Sequence, residues 1–197
     1  GRPLLAETAI TDAGTGRVRV APVLVTSRVT GYQRRAVGSH DNLGTTRLDL
    51  PPQELETRAV VFTWDGVDHR SRAALDAGCN AATLPGALHA AEHGAIGMLG
   101  LFGLCDRWDV GGLSTADHPD TGGPTVLIHD GYPGGAGIAE LAERVAEAHL
   151  AATRAAIAEC PCEAGCPSCV QSPKCGNLNE PLDKPGALIA IDALLGR

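Results

Sequence analysis

Cys160-Pro161-Cys162-Glu163-Ala164-Gly165-Cys166-Pro167-Ser168-Cys169-Val170-Gln171-Ser172-Pro173-Lys174-Cys175 holds five of the chain's seven cysteines in sixteen residues. Val170 is its only aliphatic side chain larger than alanine besides the prolines, so the segment has little core of its own to offset the entropy of ordering it. The pattern Cys162-x3-Cys166-x2-Cys169-x5-Cys175 is that of a metal loop. Two cysteines two residues apart grip one tetrahedral ion from a tight turn, and Pro167-Ser168 suits that turn. Four sulfurs satisfy zinc and leave no position open, which marks a structural site rather than a catalytic one. Cys162, Cys166, Cys169 and Cys175 are therefore the expected ligands, with Cys160 as an alternative first ligand. Lys174, beside a ligand, would partly offset the roughly −2 charge of four thiolates on one Zn2+. An iron–sulfur centre or a redox Cys-x-x-Cys pair would use the same residues, and spacing alone leaves both open. Cys79 and Cys105, isolated in apolar helical contexts, read as small buried side chains.

Downstream of the loop, Asp183 caps a short helix through Leu195 that turns Leu188, Ile191 and Leu195 inward. Upstream, a long helix runs to about Glu159, with Ile138, Leu141, Val145, Ala148 and Ala152 on one side and a Glu140–Arg144 pair on the other. It opens from Gly134-Gly135-Ala136-Gly137, whose glycines either let strand and helix pack closely or offer amides to a phosphate. Pro124 to His129 is a short buried strand behind the polar loop Asp117–Gly123. Leu84, Leu88, Ala91, Ala95, Met98, Leu99 and Phe102 fall on one face of a helix, and Pro85 suits its first turn. Residues 17–32, Thr45–Leu50 and Thr57–Trp64 read as extended; Pro22 puts the first at a sheet edge or bend, and Asp65-Gly66 ends the third. The fold class expected is α+β (mixed α/β). It has a β-rich part over 1–65, a helical part with one strand over 66–159, and the four-cysteine zinc loop with a final helix over 160–197.

The net charge of −7 excludes a chain coated with nucleic-acid-binding cations. Residues 1–50 nevertheless hold seven arginines against four acids, a net of +3, leaving −10 for the remainder. Arg28, Tyr32, Arg34 and Arg35 are the DNA-binding candidates: arginine neutralises phosphate and a tyrosine stacks on a base. The alternative is solvated arginines on exposed strand faces. No uninterrupted apolar run of about 18 residues exists, and nothing resembles a signal peptide, so a cytoplasmic, nucleoid-associated location without membrane partners is expected. The chain starts at Gly1-Arg2-Pro3 without a methionine and reads as a piece of a longer protein. Its only lysines are Lys174 and Lys184, neither in a Gly-Lys-Ser/Thr phosphate loop, so an ATP-driven motor is not expected within it.

One further constellation is His89-x-x-Glu92-His93, two histidines on one helix face with a glutamate beside them. That is the spacing of inverted zinc peptidases. A metallohydrolase would use these residues with a third ligand from Asp106, Asp109 or His118; the plainer reading is satisfied structural side chains. In the loop Cys105–Gly112, a buried pairing of Arg107 with a neighbouring aspartate is expected.

Gly165-Cys166-Pro167-Ser168-Cys169-Val170-Gln171-Ser172-Pro173-Lys174-Cys175-Gly176-Asn177, followed by Asn179-Glu180-Pro181-Leu182-Asp183-Lys184, resembles the C-terminal zinc-binding domain of the mitomycin-repair-factor-A/Hrq-type superfamily 2 DNA helicases (DEAD/DEAH-box). The likeness extends to Val29–Tyr32, His89–His93, Cys105–Gly112 and Asp130–Gly137, and the arginine- and alanine-rich composition fits an actinobacterial member. It implies an accessory domain of an ATP-dependent 3′-to-5′ DNA translocase in DNA repair. Such a domain would hold a structural zinc and help guide DNA, with ATP and Mg2+ confined to motor domains outside this chain and those motors and DNA as partners. A protein-interaction module with a purely structural zinc is the rival reading.

Overall fold

A computed structural model describes residues 4–10, 17–39, 41–65 and 67–197. Gly1-Arg2-Pro3, Asp12 and Gly66 lie outside the described residues. Five strands, β1 (Leu4–Ile10), β2 (Val18–Val29), β5 (Gln53–Thr63), β7 (Gly123–Asp130) and β6 (Val110–His118), form one antiparallel sheet in that order. Between β2 and β5 the chain makes a separate two-stranded hairpin, β3 (Gly31–Arg35) with β4 (Asn42–Arg47). The helices are α1 (His69–Gly78), α2 (Leu84–Leu99), α3 (Ile138–Arg144), α4 (Ala146–Glu159) and α5 (Lys184–Leu195). This is the α+β arrangement expected, with the cysteine loop between α4 and α5.

Alternation along β5 splits the apolar residues between two clusters. Val60, Phe62 and Trp64 face the helices and join the main core with Leu88, Ile157, Val170 and Ile191. Ala59 and Val61 turn to the other side and meet Val23, Val25 and Leu127. That second side is closed because the sheet curls: the Ile10 amide donates to Asp120 Oδ2 (2.8 Å), tying β1 to the β6–β7 turn at the opposite edge. Pro22 sits inside β2, which has neighbours on both sides, rather than on an edge strand. Among the described residues it pairs with Arg58 of β5.

Besides strand β1, which precedes the first extended stretch expected from the sequence, three elements differ from expectation. Strand β6 adds a second strand to the helical part; Val110 and Leu113 are its only large apolar residues, because α2 covers it and Gly112 holds the close approach, while Gly111 makes room for the His129 ring of β7. Helix α1 buries little more than Ser71 and Leu75 and is held at its start by Asp68, whose carboxylate accepts from the Arg70 and Ser71 amides. The long helix ending at Glu159 breaks at Val145. Its first part lies on the sheet, where Glu140 pairs with Arg58 (3.0 Å) rather than with Arg144. Its second part packs on α2 and α5.

Asp183 caps α5 as expected, accepting from the Gly186 amide (2.9 Å). Pro85 lies in the first turn of α2. That helix is buried on nearly every side, from Gly86 to Ile96, which explains its run of alanine and glycine. Ile157 fills the contact with Gly94 and is fully buried. Ile157→Ala should destabilise the fold by about 2–5 kcal/mol, read as a lower denaturant midpoint with an unchanged slope.

Candidate metal centre

The chain leaves α4 at Glu159 and, within a few residues, brings four sulfurs together. Cys160 Sγ lies 3.6 Å from Cys162 Sγ and 3.5 Å from Cys166 Sγ. Cys162 Sγ and Cys166 Sγ lie 3.4 and 3.8 Å from Cys169 Sγ. An ion bonded to four thiolates at about 2.3 Å in a tetrahedron requires edges of roughly 3.8 Å, close to these separations, so the cluster is of a size to hold zinc. The backbone is shaped for it. Gly165 is left-handed (φ 110°), and the Cys169, Val170 and Gln171 amides all converge on the Cys166 carbonyl. The Cys166 amide donates to Cys169 Sγ (3.3 Å). Burial raises the Cys162 thiol but hydrogen bonds from Cys169, Cys160 and Cys166 outweigh it and bring it down, while burial and its thiol neighbours push Cys169 up.

The charge partner is Lys184, not Lys174. The Lys184 ammonium, buried at the start of α5, donates to the Cys160 and Cys162 carbonyls (2.6 and 2.5 Å) and reaches Cys162 Sγ (3.5 Å). Lys174 instead donates to the Arg107 carbonyl (2.5 Å) and the Val110 carbonyl, close to the Trp108 ring.

By spacing, Cys175 is the expected fourth ligand and Cys160 a substitute for Cys162. The structure groups Cys160 with Cys162, Cys166 and Cys169, and carries Cys175 to His89 and His93. The turn between them explains the separation. Val170 is fully buried in the main core, so the chain must dive inward one residue after Cys169. Asn179 then pins the return: its side chain accepts from the Ser172 amide (2.7 Å) and donates to the Ser172 carbonyl (3.1 Å). Cys175, inside that loop, faces α2, with its sulfur 3.4 Å from His89 Nε2. The signal for this partition was present in the sequence as five cysteines and two histidines one helical turn apart, more donors than one ion takes.

His89, Glu92 and His93 are all buried on α2. Burial lowers His89, and burial together with the neighbouring His89 lowers His93 to about 4. Burial raises Glu92 to about 7, opposed by a hydrogen bond with Ser114 and by the charge of Lys174. None of the three aspartate or histidine candidates named for a third ligand joins them. Asp109 accepts from the Tyr132 hydroxyl (2.6 Å) and the Asp106 amide (2.7 Å), and Asp106 accepts from the Trp108 amide (3.1 Å). His118 lies in β6 and accepts from the Asp120 amide (3.2 Å). These amide contacts, rather than an Arg107–aspartate pair, close the 105–112 loop.

The glycine loop before α3 is a packing device. Asp130, fully buried, accepts from the Ala136 amide and from the Ile138 and Ala139 amides (3.2 and 2.9 Å), so a carboxylate of the protein already occupies the place a phosphate would take.

Of the DNA-binding candidates, Tyr32, Arg34 and Arg35 lie together on β3, exposed, and Arg47 lies exposed on the paired β4. Arg28 stands apart on β2, ion-paired with Asp49 and donating to the Leu50 carbonyl (3.1 Å). Among the described residues, no helix is long and apolar enough to cross a membrane.

A family model described as the MrfA Zn-binding domain matches residues 91–170. An uncharacterized protein of Methanocaldococcus jannaschii, MJ1572.1, is 35% identical over 111 residues, 55% of this chain and 99% of its own length. The chain belongs to this zinc-binding domain family. An uncharacterized ATP-dependent helicase of Bacillus subtilis, YprA, is 31% identical over 151 residues, covering 75% of this chain but 19% of the helicase. Two solved structures share the fold: the DUF1998 helicase MrfA bound to DNA (TM-score 0.61, 24% identity, 98% of this chain and 25% of that one) and MrfA bound to DNA and AMPPNP (0.62, 25%, 97% and 22%). The chain thus spans about a quarter or less of the helicases it matches. The four-cysteine cluster and the family together support a structural zinc.

Such a zinc supplies folding energy to a loop with almost no core. Stripping it with a strong chelator should raise amide exchange across residues 160–183 while β2, β5 and β7 keep their protection. Lys184→Met should weaken zinc binding about 10–100-fold in a competition with a chelating dye, since outer-shell partners contribute on that scale.

Proposed function

We propose that this chain is the zinc-stapled accessory domain of an ATP-dependent 3′-to-5′ DNA translocase or helicase acting in repair, with DNA and the parent motor domains as partners. The observation that carries the reading is the likeness along nearly the whole chain to one part of a helicase solved with DNA. In this reading Cys160, Cys162, Cys166 and Cys169 hold the zinc. The ion gives no chemistry to the reaction; it fixes the turn between α4 and α5 so that the sheet and its hairpin keep a constant position beside the motor. The work on DNA falls to the hairpin. Arg34, Arg35 and Arg47 supply positive charge on a strand pair standing clear of an acidic body, and Tyr32 offers a ring for a base. Arg28, held by Asp49, contributes less. Action on chromosomal DNA would place the protein in the cytoplasm at the nucleoid.

The test is titration of fluorescent single-stranded DNA into the protein at several salt concentrations, with the parent helicase's unwinding rate as a second readout. Arg34→Ala with Arg35→Ala should weaken binding severalfold and make the slope of log K against log salt shallower by about 0.7 for each phosphate that an arginine no longer neutralises. Unchanged binding and unwinding would reassign the domain to protein interaction.

A further inference from the structure

The residues the four-cysteine cluster leaves over make a second constellation of donors. His89 and His93 project from successive turns of α2, with ring centroids 4.3 Å apart. Each ring is already oriented by the backbone: His89 Nδ1 lies 2.8 Å from the Pro181 carbonyl, and His93 Nδ1 lies 2.8 Å from the Val170 carbonyl. A carbonyl only accepts, so both Nδ1 atoms carry the proton and both Nε2 atoms present a bare lone pair. This is the arrangement that outer-shell carbonyls impose on metal-binding histidines. The third donor is Cys175, 3.4 Å from His89 Nε2. One donor atom from each of the three lies within 4.8 Å of the others. A tetrahedral ion with bonds of about 2.0–2.1 Å to nitrogen and 2.3 Å to sulfur sets its nitrogen–sulfur edge at roughly 3.6 Å. The Asn179 amide donates to Cys175 Sγ (3.3 Å), as the Cys166 amide does to Cys169 Sγ (3.3 Å) in the other cluster.

We infer that His89 Nε2, His93 Nε2 and Cys175 Sγ form a second metal site, for a zinc-class divalent cation. Two imidazoles and a thiolate are borderline-to-soft donors, which suit Zn2+ and disfavour Mg2+ or Ca2+. The site differs from the first in kind. Three protein donors leave a fourth position, and the three residues line an open cleft of about 790 Å³ with Glu92, Ser172 and Lys174 on the same wall. That position takes water or a small anionic ligand from the cleft. Binding expels the Cys175 proton and leaves the ion and its three ligands at a net charge of +1, facing the Glu92 carboxyl one residue from His93. The same ion joins α2 to residues 170–181, a segment also held by the two carbonyl contacts, by Val170 and by Lys174.

The experiment is metal analysis of the zinc-saturated, desalted protein, paired with zinc K-edge X-ray absorption. Two zinc ions per chain are expected, with nitrogen in the averaged shell at two donors for every five sulfurs. His93→Ala should keep one ion, and its shell should become sulfur only. One zinc per chain in the unmodified protein, with a shell of four sulfurs, would overturn the second site, as would two ions retained in His93→Ala. The absorption spectrum of the unmodified protein decides the matter if the variant does not fold. Both readouts are independent of DNA binding, so failure here leaves the accessory-domain reading untouched.

Discussion

Enclosure of α2 is the constraint from which most of this structure follows. A helix covered by the sheet, α4, α5 and the cysteine loop must be thin, and Gly86, Ala87, Ala90, Ala91, Gly94 and Ala95 make it so. It must also leave no buried polar group without a partner. His89, Glu92 and His93 would each cost free energy in that position if left alone. Their partners come from outside the helix: Pro181 and Val170 carbonyls, Cys175, and Ser114 on β6. The loop of residues 160–183 is therefore not an appendage clipped to a finished fold. It supplies the acceptors that the central helix needs, and the metal at its four cysteines keeps those acceptors in place.

Charge is arranged on the same logic. A zinc–tetrathiolate centre is negative, and the fold meets it with the buried ammonium of Lys184, aimed by the start of α5 at two carbonyls and a sulfur. The other lysine, Lys174, is drawn down by burial and sits with Glu92 in the cleft, bridging the Arg107 and Val110 carbonyls. Each of the chain's two lysines thus anchors the loop to a different part of the core, one to α5 and one to β6. The arginines, by contrast, are mostly left on the surface, where the hairpin concentrates Arg34, Arg35 and Arg47.

Much of this was legible in the residues. The β-branched runs marked β2, β5 and β7, Pro85 marked the start of α2, and Asp183 marked α5. The dense cysteines and the sequence around them marked the zinc loop. What stayed hidden depended on contacts between distant segments. Strand β6 has too few apolar residues to announce itself, because its inner face is built from glycine against Glu92: a Cβ at Gly112 would stand 2.5 Å from Glu92 Oε1. The break at Val145 follows from the need of α3 to lie on the sheet and α4 on α2, which no local periodicity encodes. Cys160 and Cys175 could not be sorted by spacing, since both lie within reach of a tetrahedral site. Only the burial of Val170 decides which one the chain carries away.

The hairpin and the metal loop sit at opposite ends of one mechanical path. Strand β2 ends at Val29 and β3 begins at Gly31, so the basic hairpin is a direct continuation of β2. Strand β2 pairs with β5 over ten residues from Val18–Phe62 to Ser27–Gln53. Beyond β5, Trp64 is fully buried and donates from Nε1 to the Ala190 carbonyl of α5 (3.0 Å). Helix α5 starts at Lys184, on the four-cysteine cluster. Load applied to the hairpin would therefore pass through an antiparallel ladder and a buried indole into the helix beside the metal loop. Ladder hydrogen bonds and close-packed side chains yield little under such load. A structural metal at the far end of that path makes physical sense: a loop with almost no core of its own would otherwise be the first part to give.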